Sequence, residues 1–91
     1  MIYEFPAIIK YEPQDSIYYV DFPDITGCFT DGKTLHEALN NAEDALSTML
    51  SFYESKCGTI PTASKMDAIQ LKAGEIITNV QTETEYPKIA V

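Results

Sequence analysis

Apolar and polar residues alternate from Ile2 to Glu12, with Tyr3, Phe5, Ala7, Ile9 and Tyr11 on one side and Glu4, Lys10 and Glu12 on the other. A period of two predicts a half-buried β-strand. Pro6 has no N–H for a ladder, so this strand is expected either at a sheet edge or with Pro6 turned away from its neighbour. Glu12-Pro13-Gln14-Asp15-Ser16 carries turn chemistry, since proline presets φ and Asp and Ser bond back to the local backbone. Alternation resumes over residues 17–22, with Tyr18, Val20 and Phe22 on one side. The short gap predicts an antiparallel hairpin. Phe22-Pro23-Asp24 ends the second strand and Gly27 permits a tight reversal. Cys28-Phe29-Thr30 then predicts a short third strand, closed by Asp31-Gly32-Lys33.

At Thr34 the period changes from two to three and four. Leu35, Ala38, Leu39, Ala42, Ala45, Leu46, Met49, Leu50 and Tyr53 form an apolar stripe, opposed by His36, Glu37, Asn40, Asn41, Glu43, Asp44, Ser47 and Thr48. That spacing predicts a long amphipathic helix. Thr34 and Glu37 have the capping-box spacing that satisfies two N–H groups at a helix start. Gly58 and Pro61 supply its stop. Pro61 to Ser64 reads as loop, and residues 64–70 as a short helical turn. After Gly74 a last strand is expected over Glu75–Glu83, with Ile76, Thr78, Val80 and Thr82 on one face and Ile77, Asn79 and Gln81 on the other. The predicted class is α+β, a small, mainly antiparallel sheet in the order β-β-β-α-β with one long helix packed on one face. One domain is expected over residues 1–83. The remainder, 84–91, reads as a tail in which Ile89-Ala90-Val91 has the pattern to pair with a sheet edge.

Length and composition agree with one packed domain. A chain of 91 residues with 45% hydrophobic content buries roughly 60–65% of its unfolded surface, enough to fold alone with little margin. No apolar run reaches the ~18 residues of a membrane span, and the N-terminus lacks a secretory signal pattern. A cytoplasmic location is therefore expected.

Charge narrows the function classes. Fourteen acids oppose six lysines and there is no arginine, for a net charge of −8. From Glu12 to Glu54 nine acids face one base, Lys33, and the rest of the chain is balanced. Such a surface repels phosphate backbones, so direct nucleic-acid binding by this chain is not expected. A basic protein is the natural complement, although an acidic surface also serves solubility.

Candidate chemistry is sparse. Cys28 and Cys57 are 29 residues apart, with no thiol or histidine at ligand spacing, and read as small packing residues. His36, the single histidine, falls on the polar side of the first helical turn, where the helix dipole disfavours its charged form, and reads as a surface residue. Asp21, Asp24 and Asp31 could in principle hold magnesium for phosphodiester cleavage. That chemistry needs converging carboxylates and cations for the substrate, and only Lys33 is near. No catalytic residue, cofactor or metal is expected. Glu37, Glu43 and Asp44 lie on the polar helix face and, joined with the three aspartates, would form one extended negative surface.

Phe5-Pro6-Ala7-Ile8, the run Tyr18 to Gly32 and the run Thr34 to Leu46 resemble the HicB-type antitoxin family. Its pattern pairs a Tyr-Pro-Ala opening with FPDxPGCxTxGxTxxEAxxNAxEA; here Phe5 replaces the tyrosine and Thr26 the second proline. The resemblance is close over residues 5 to about 60 and looser through Glu83. It implies a truncated ribonuclease-H-like fold and a partner, a small basic HicA-like toxin that cleaves messenger RNA. It further implies homodimers or homotetramers, and many relatives carry a C-terminal DNA-binding segment that this chain is expected to lack. Under this reading the function expected is antitoxin, masking the toxin by steric and electrostatic blockade. The alternatives are a solitary module of this family with another partner, or a metal-dependent nuclease using Asp21, Asp24 and Asp31. Partner-binding candidates are Asp21, Asp24, Asp31, Glu37, Glu43 and Asp44. Pro6, Phe22, Pro23, Gly27, Cys28, Gly32 and Thr34 are expected to be architectural.

Overall fold

In the computed structural model, which describes residues 2–84 apart from the side chain of Cys57, the alternating first segment is an inner strand. β1 (Ile2–Glu12) pairs antiparallel with β2 (Ile17–Asp21) on one side and with β4 (Glu75–Glu83) on the other. β3 (Phe29–Gly32) adds outside β2, so the sheet order is β3-β2-β1-β4. Of the two placements expected for the Pro6 strand, the edge is excluded and the one with Pro6 away from its neighbour holds. The register shows how proline is accommodated: partners in β2 begin at Ile8, so at Pro6 the strand is paired only with β4, opposite Asn79. The missing donor falls where one side of β1 has no ladder to complete.

Helix α1 (Leu35–Phe52) covers one face of this sheet. Ala38, Ala42, Leu46 and Leu50 recur every four residues along it and are fully buried against Phe5, Ala7, Ile9, Val20 and Val80. Ala38 packs where the Gly32 backbone comes against the helix, and Leu46 and Leu50 fill the second half of the stripe. Each buried leucine contributes about 2 kcal/mol. Leu39, Ala45, Met49 and Tyr53 flank the stripe partly buried. Leu35, predicted in the stripe, is instead exposed at the first helical residue. Two side chains fasten the helix to β4: Thr82 Oγ1 donates to the Glu43 carbonyl at 3.2 Å, and Ser47 Oγ donates to the Glu83 carbonyl at 3.1 Å.

The helix start differs from the reciprocal box in one bond. Glu37 N–H donates to Thr34 Oγ1 at 3.0 Å as expected, but the Glu37 carboxylate accepts from Lys33 N–H at 3.1 Å. One helical N–H and one loop N–H are satisfied, in place of two within the cap. At the other end α1 runs into a π-helical turn, Tyr53–Cys57, before Gly58 donates its N–H to the Tyr53 carbonyl at 2.8 Å. The helical turn expected over 64–70 is a single 3-10 turn, Met66–Ala68. Thr84, assigned to the tail by its sequence position, is buried; the rest of that tail, with Ile89-Ala90-Val91, lies outside the described residues. No helix among the described residues is long and apolar enough to cross a membrane.

Candidate functional site

The connection between β2 and β3 closes on itself through three backbone bonds. Phe22 N–H donates to the Cys28 carbonyl at 3.0 Å, Ile25 N–H to the Phe22 carbonyl at 3.1 Å, and Cys28 N–H to the Ile25 carbonyl at 3.1 Å. Phe22, Ile25 and Cys28 are each 1% exposed, so the loop is a plug in the end of the core. Gly27 sits at φ 81°, a left-handed conformation that side chains with a Cβ rarely adopt. Burial, with a smaller push from the Asp21 carboxylate, raises the Cys28 thiol to about 11, so at neutral pH it is a protonated packing group. Gly32 meets the helix directly: a Cβ there would stand 2.4 Å from the Ala38 nitrogen. Phe22, Cys28 and Gly32 are buried and Gly27 makes the turn between them. Ile25 belongs to the same plug, yet no periodic pattern announces it, because it lies in a loop.

The six candidate acids do not all share one surface. Asp21 and Asp31 lie on the sheet face away from α1: Asp21 pairs across the ladder with Phe29, and Asp31 with Tyr19. Asp24 turns to the chain that follows the helix and accepts two bonds from Ser64. Glu37 is engaged at the helix start. Glu43 and Asp44 are neighbours in sequence but flank opposite sides of α1. Glu43 lies on the β4 side, where its carbonyl meets Thr82, and Asp44 on the β3 side beside Gly27 and Phe29. Among the described residues no group of three acidic, histidine or cysteine side chains is placed to hold a metal ion. The convergence that the nuclease alternative requires is not formed by Asp21, Asp24 and Asp31. His36 is exposed and shares a 3.1 Å hydrogen bond with the Asn40 side-chain nitrogen.

What the fold does assemble is a sheet face that α1 leaves uncovered among the described residues. A shallow cavity of about 390 Å³ runs across it, lined by Ile8, Lys10, Glu12, Tyr19, Asp21, Phe29 and Glu75 among others. Five of these seven are acids or aromatic residues that the two-residue period turns away from the helix. Asp21 is held above its ordinary carboxylate range, first by burial and then by the nearby Glu75 charge. The Tyr19 hydroxyl donates to Asp15 at 3.0 Å, and that bond, with burial and neighbouring acids, raises the phenol as well. On the other side of β3 a second concavity of about 320 Å³ lies between the Gly27–Phe29 segment and Asp44, Ala45, Thr48 and Met49 of α1. Phe29 borders both and is 69% exposed. Sequence alone did not single it out. Its signal is the alternation itself, which buries Cys28 and turns its neighbour outward.

Comparison with known proteins bears on this arrangement. Residues 5–84 match the family described as HicB_like antitoxin of bacterial toxin-antitoxin system. Antitoxin HicB 2 of Photorhabdus laumondii is 34% identical over 90 residues, which cover 90% of this chain and 65% of that protein; the chain thus spans just under two thirds of this relative. Among solved structures, a toxin-antitoxin complex from Streptococcus pneumoniae aligns with a TM-score of 0.82 at 21% identity, covering 91% of this chain and 70% of that one, a likeness of fold. A chain from the HicA3 and HicB3 toxin-antitoxin complex aligns at 0.66 with 25% identity, over 91% of this chain and 99% of that one. The four-stranded antiparallel sheet with its single long helix, the plugged Phe22–Cys28 loop and the match over residues 5–84 lead to one conclusion: this chain belongs to the HicB-like antitoxin family.

Proposed function

We propose that this chain is the antitoxin of a type II toxin–antitoxin pair. It binds a small basic HicA-like toxin that cleaves messenger RNA and covers the surface on which RNA would lie. The family match over residues 5–84 carries this reading. The physics is supportive: a protein that handles RNA must be positive where the phosphates sit, and nine acids between Glu12 and Glu54 present the opposite sign. Masking requires binding and exclusion but no turnover, in keeping with acids that serve the fold or line a surface without converging. The pair would act in the cytoplasm, and the outer edges of β3 and β4 leave room for two or four copies to associate.

The test is co-expression with the small protein encoded beside this gene. Expected are growth arrest by that protein alone, rescue by this chain, and loss of its RNA cleavage in vitro when the two are mixed in equal amounts. RNA cleavage that continues at full rate in the mixture would overturn the proposal. So would magnesium-dependent nuclease activity of this chain alone that disappears in Asp21→Asn.

A further inference from the structure

We propose that the uncovered sheet face is the toxin-docking face and that Phe29 is its anchor, received by an apolar pocket ringed by lysine and arginine on the partner. This deepens the antitoxin reading and rests on it.

Three observations converge on Phe29. It is the most exposed large apolar side chain among the described residues, at 69%, although the chain has a core that buries Phe5 and Phe22 at 1–2%. A phenylalanine held in water beside Tyr19 and Ile8 makes an apolar patch of the kind that marks interaction surfaces. It also stands as a ridge between two concavities, about 390 Å³ on the sheet side and about 320 Å³ on the helix side. A partner can therefore grip it from both sides, which is how dominant interface residues are desolvated.

Charge identifies the occupant. Asp21 lies across the ladder from Phe29, Asp31 follows two residues on along the same strand face, and Asp44 borders the helix-side concavity. Glu12 and Glu75 complete the sheet side, where Lys10 is the one cation lining the cavity among the described residues. An apolar centre with an acidic rim is complementary to a basic protein surface and repels acidic ones. Asp21 carries an added incentive, because burial and Glu75 disfavour its charge in the free chain. An arriving lysine or arginine relieves that penalty. A guanidinium set over the Phe29 ring would gain a cation–π contact as well.

The experiment measures the affinity of the full chain for the small protein encoded beside its gene, rendered inactive so that both can be purified. Phe29→Ala and Asp21→Lys are each expected to weaken binding about 30-fold or more. Each variant's circular dichroism melt is recorded alongside. Thr48→Arg, which fills the helix-side concavity from an exposed position, supplies a third variant if either of the others fails to fold. Wild-type binding with all three variants unimpaired overturns the docking face and leaves the antitoxin reading standing. A larger loss from Glu43→Lys than from Phe29→Ala likewise overturns it, by moving the interface to the β4 side of the helix. Failure of the wild-type chain to bind ends both readings together.

Discussion

Asp24 holds Ser64. One carboxylate oxygen accepts the Ser64 hydroxyl at 2.6 Å and the other accepts its backbone N–H at 2.8 Å, across a separation of forty residues. The bond pins the long return segment between α1 and β4 to the plugged loop after β2. Asp24→Ala is expected to lower stability by about 1 kcal/mol and to accelerate hydrogen exchange at the Ser64 amide. Urea titration followed by amide exchange checks both, and toxin affinity should change far less than in Asp21→Lys.

Gly32 and Gly27 should respond differently to the same added methyl group. At Gly32 the methyl would meet the Ala38 backbone nitrogen at 2.4 Å, and neither strand nor helix backbone can yield cheaply. Gly32→Ala is expected to cost about 3 kcal/mol or to prevent folding. At Gly27 nothing lies within 4 Å, and only the left-handed φ of 81° opposes the change. Gly27→Ala should cost about 1–2 kcal/mol. Thermal melts of the two variants give the comparison.

The Tyr3 phenol donates to Glu54 at 2.6 Å, which joins the first strand to the π-helical turn. That bond, with burial and the Glu54 charge, pushes the phenol from 10.0 up to about 12. The folded state keeps the proton longer than the unfolded state does, so this contribution is complete below pH 10 and is lost as pH rises toward 12. Tyr3→Phe is expected to cost about 1 kcal/mol at pH 8. Its urea midpoint should converge with that of the wild type as pH rises through that window.

Asp21 should behave in the opposite sense to a stabilising carboxylate. Its folded pKa is raised, so the folded state loses stability as pH climbs through that value and remains penalised at neutral pH. Asp21→Asn is therefore expected to melt at a higher temperature than the wild type at pH 7. The two should converge near pH 3, where both are neutral. If the proposed docking face holds, the same substitution weakens binding of the proposed toxin, so stability and binding move in opposite directions at one residue.

The strands and helix were legible because each has one wet and one dry face. Period two marked β1 and β4 and period four marked α1, with β4 bounded at Glu75 and Glu83 as its pattern predicts. Pro6 left two placements open, and the second holds, because the ladder to β2 begins two residues later at Ile8. The site was less legible. Asp21, Asp24 and Asp31 are close in sequence, but a strand face, a long-range bond to Ser64 and a ladder position beside Tyr19 send them to different tasks. Glu43 and Asp44 part because adjacent helical residues point about 100° apart. Phe29 could be recognised only once the strand order left β3 at the edge.

The pairing of β4 with β1 joins the last strand to the first, over nine residue pairs from Ile2 to Lys10. A ribosome therefore makes β2, β3 and α1 before the inner strand gains its second neighbour. Until then the nascent chain holds Phe5, Ala7 and Ile9 without the β4 residues that close over them. Loss of Val80 to Glu83 would strip four of the nine pairs at once, so closure of the inner strand rests on this one segment. A sheet built this way is completed late, and its inner strand stays half-paired until a segment made after the helix arrives.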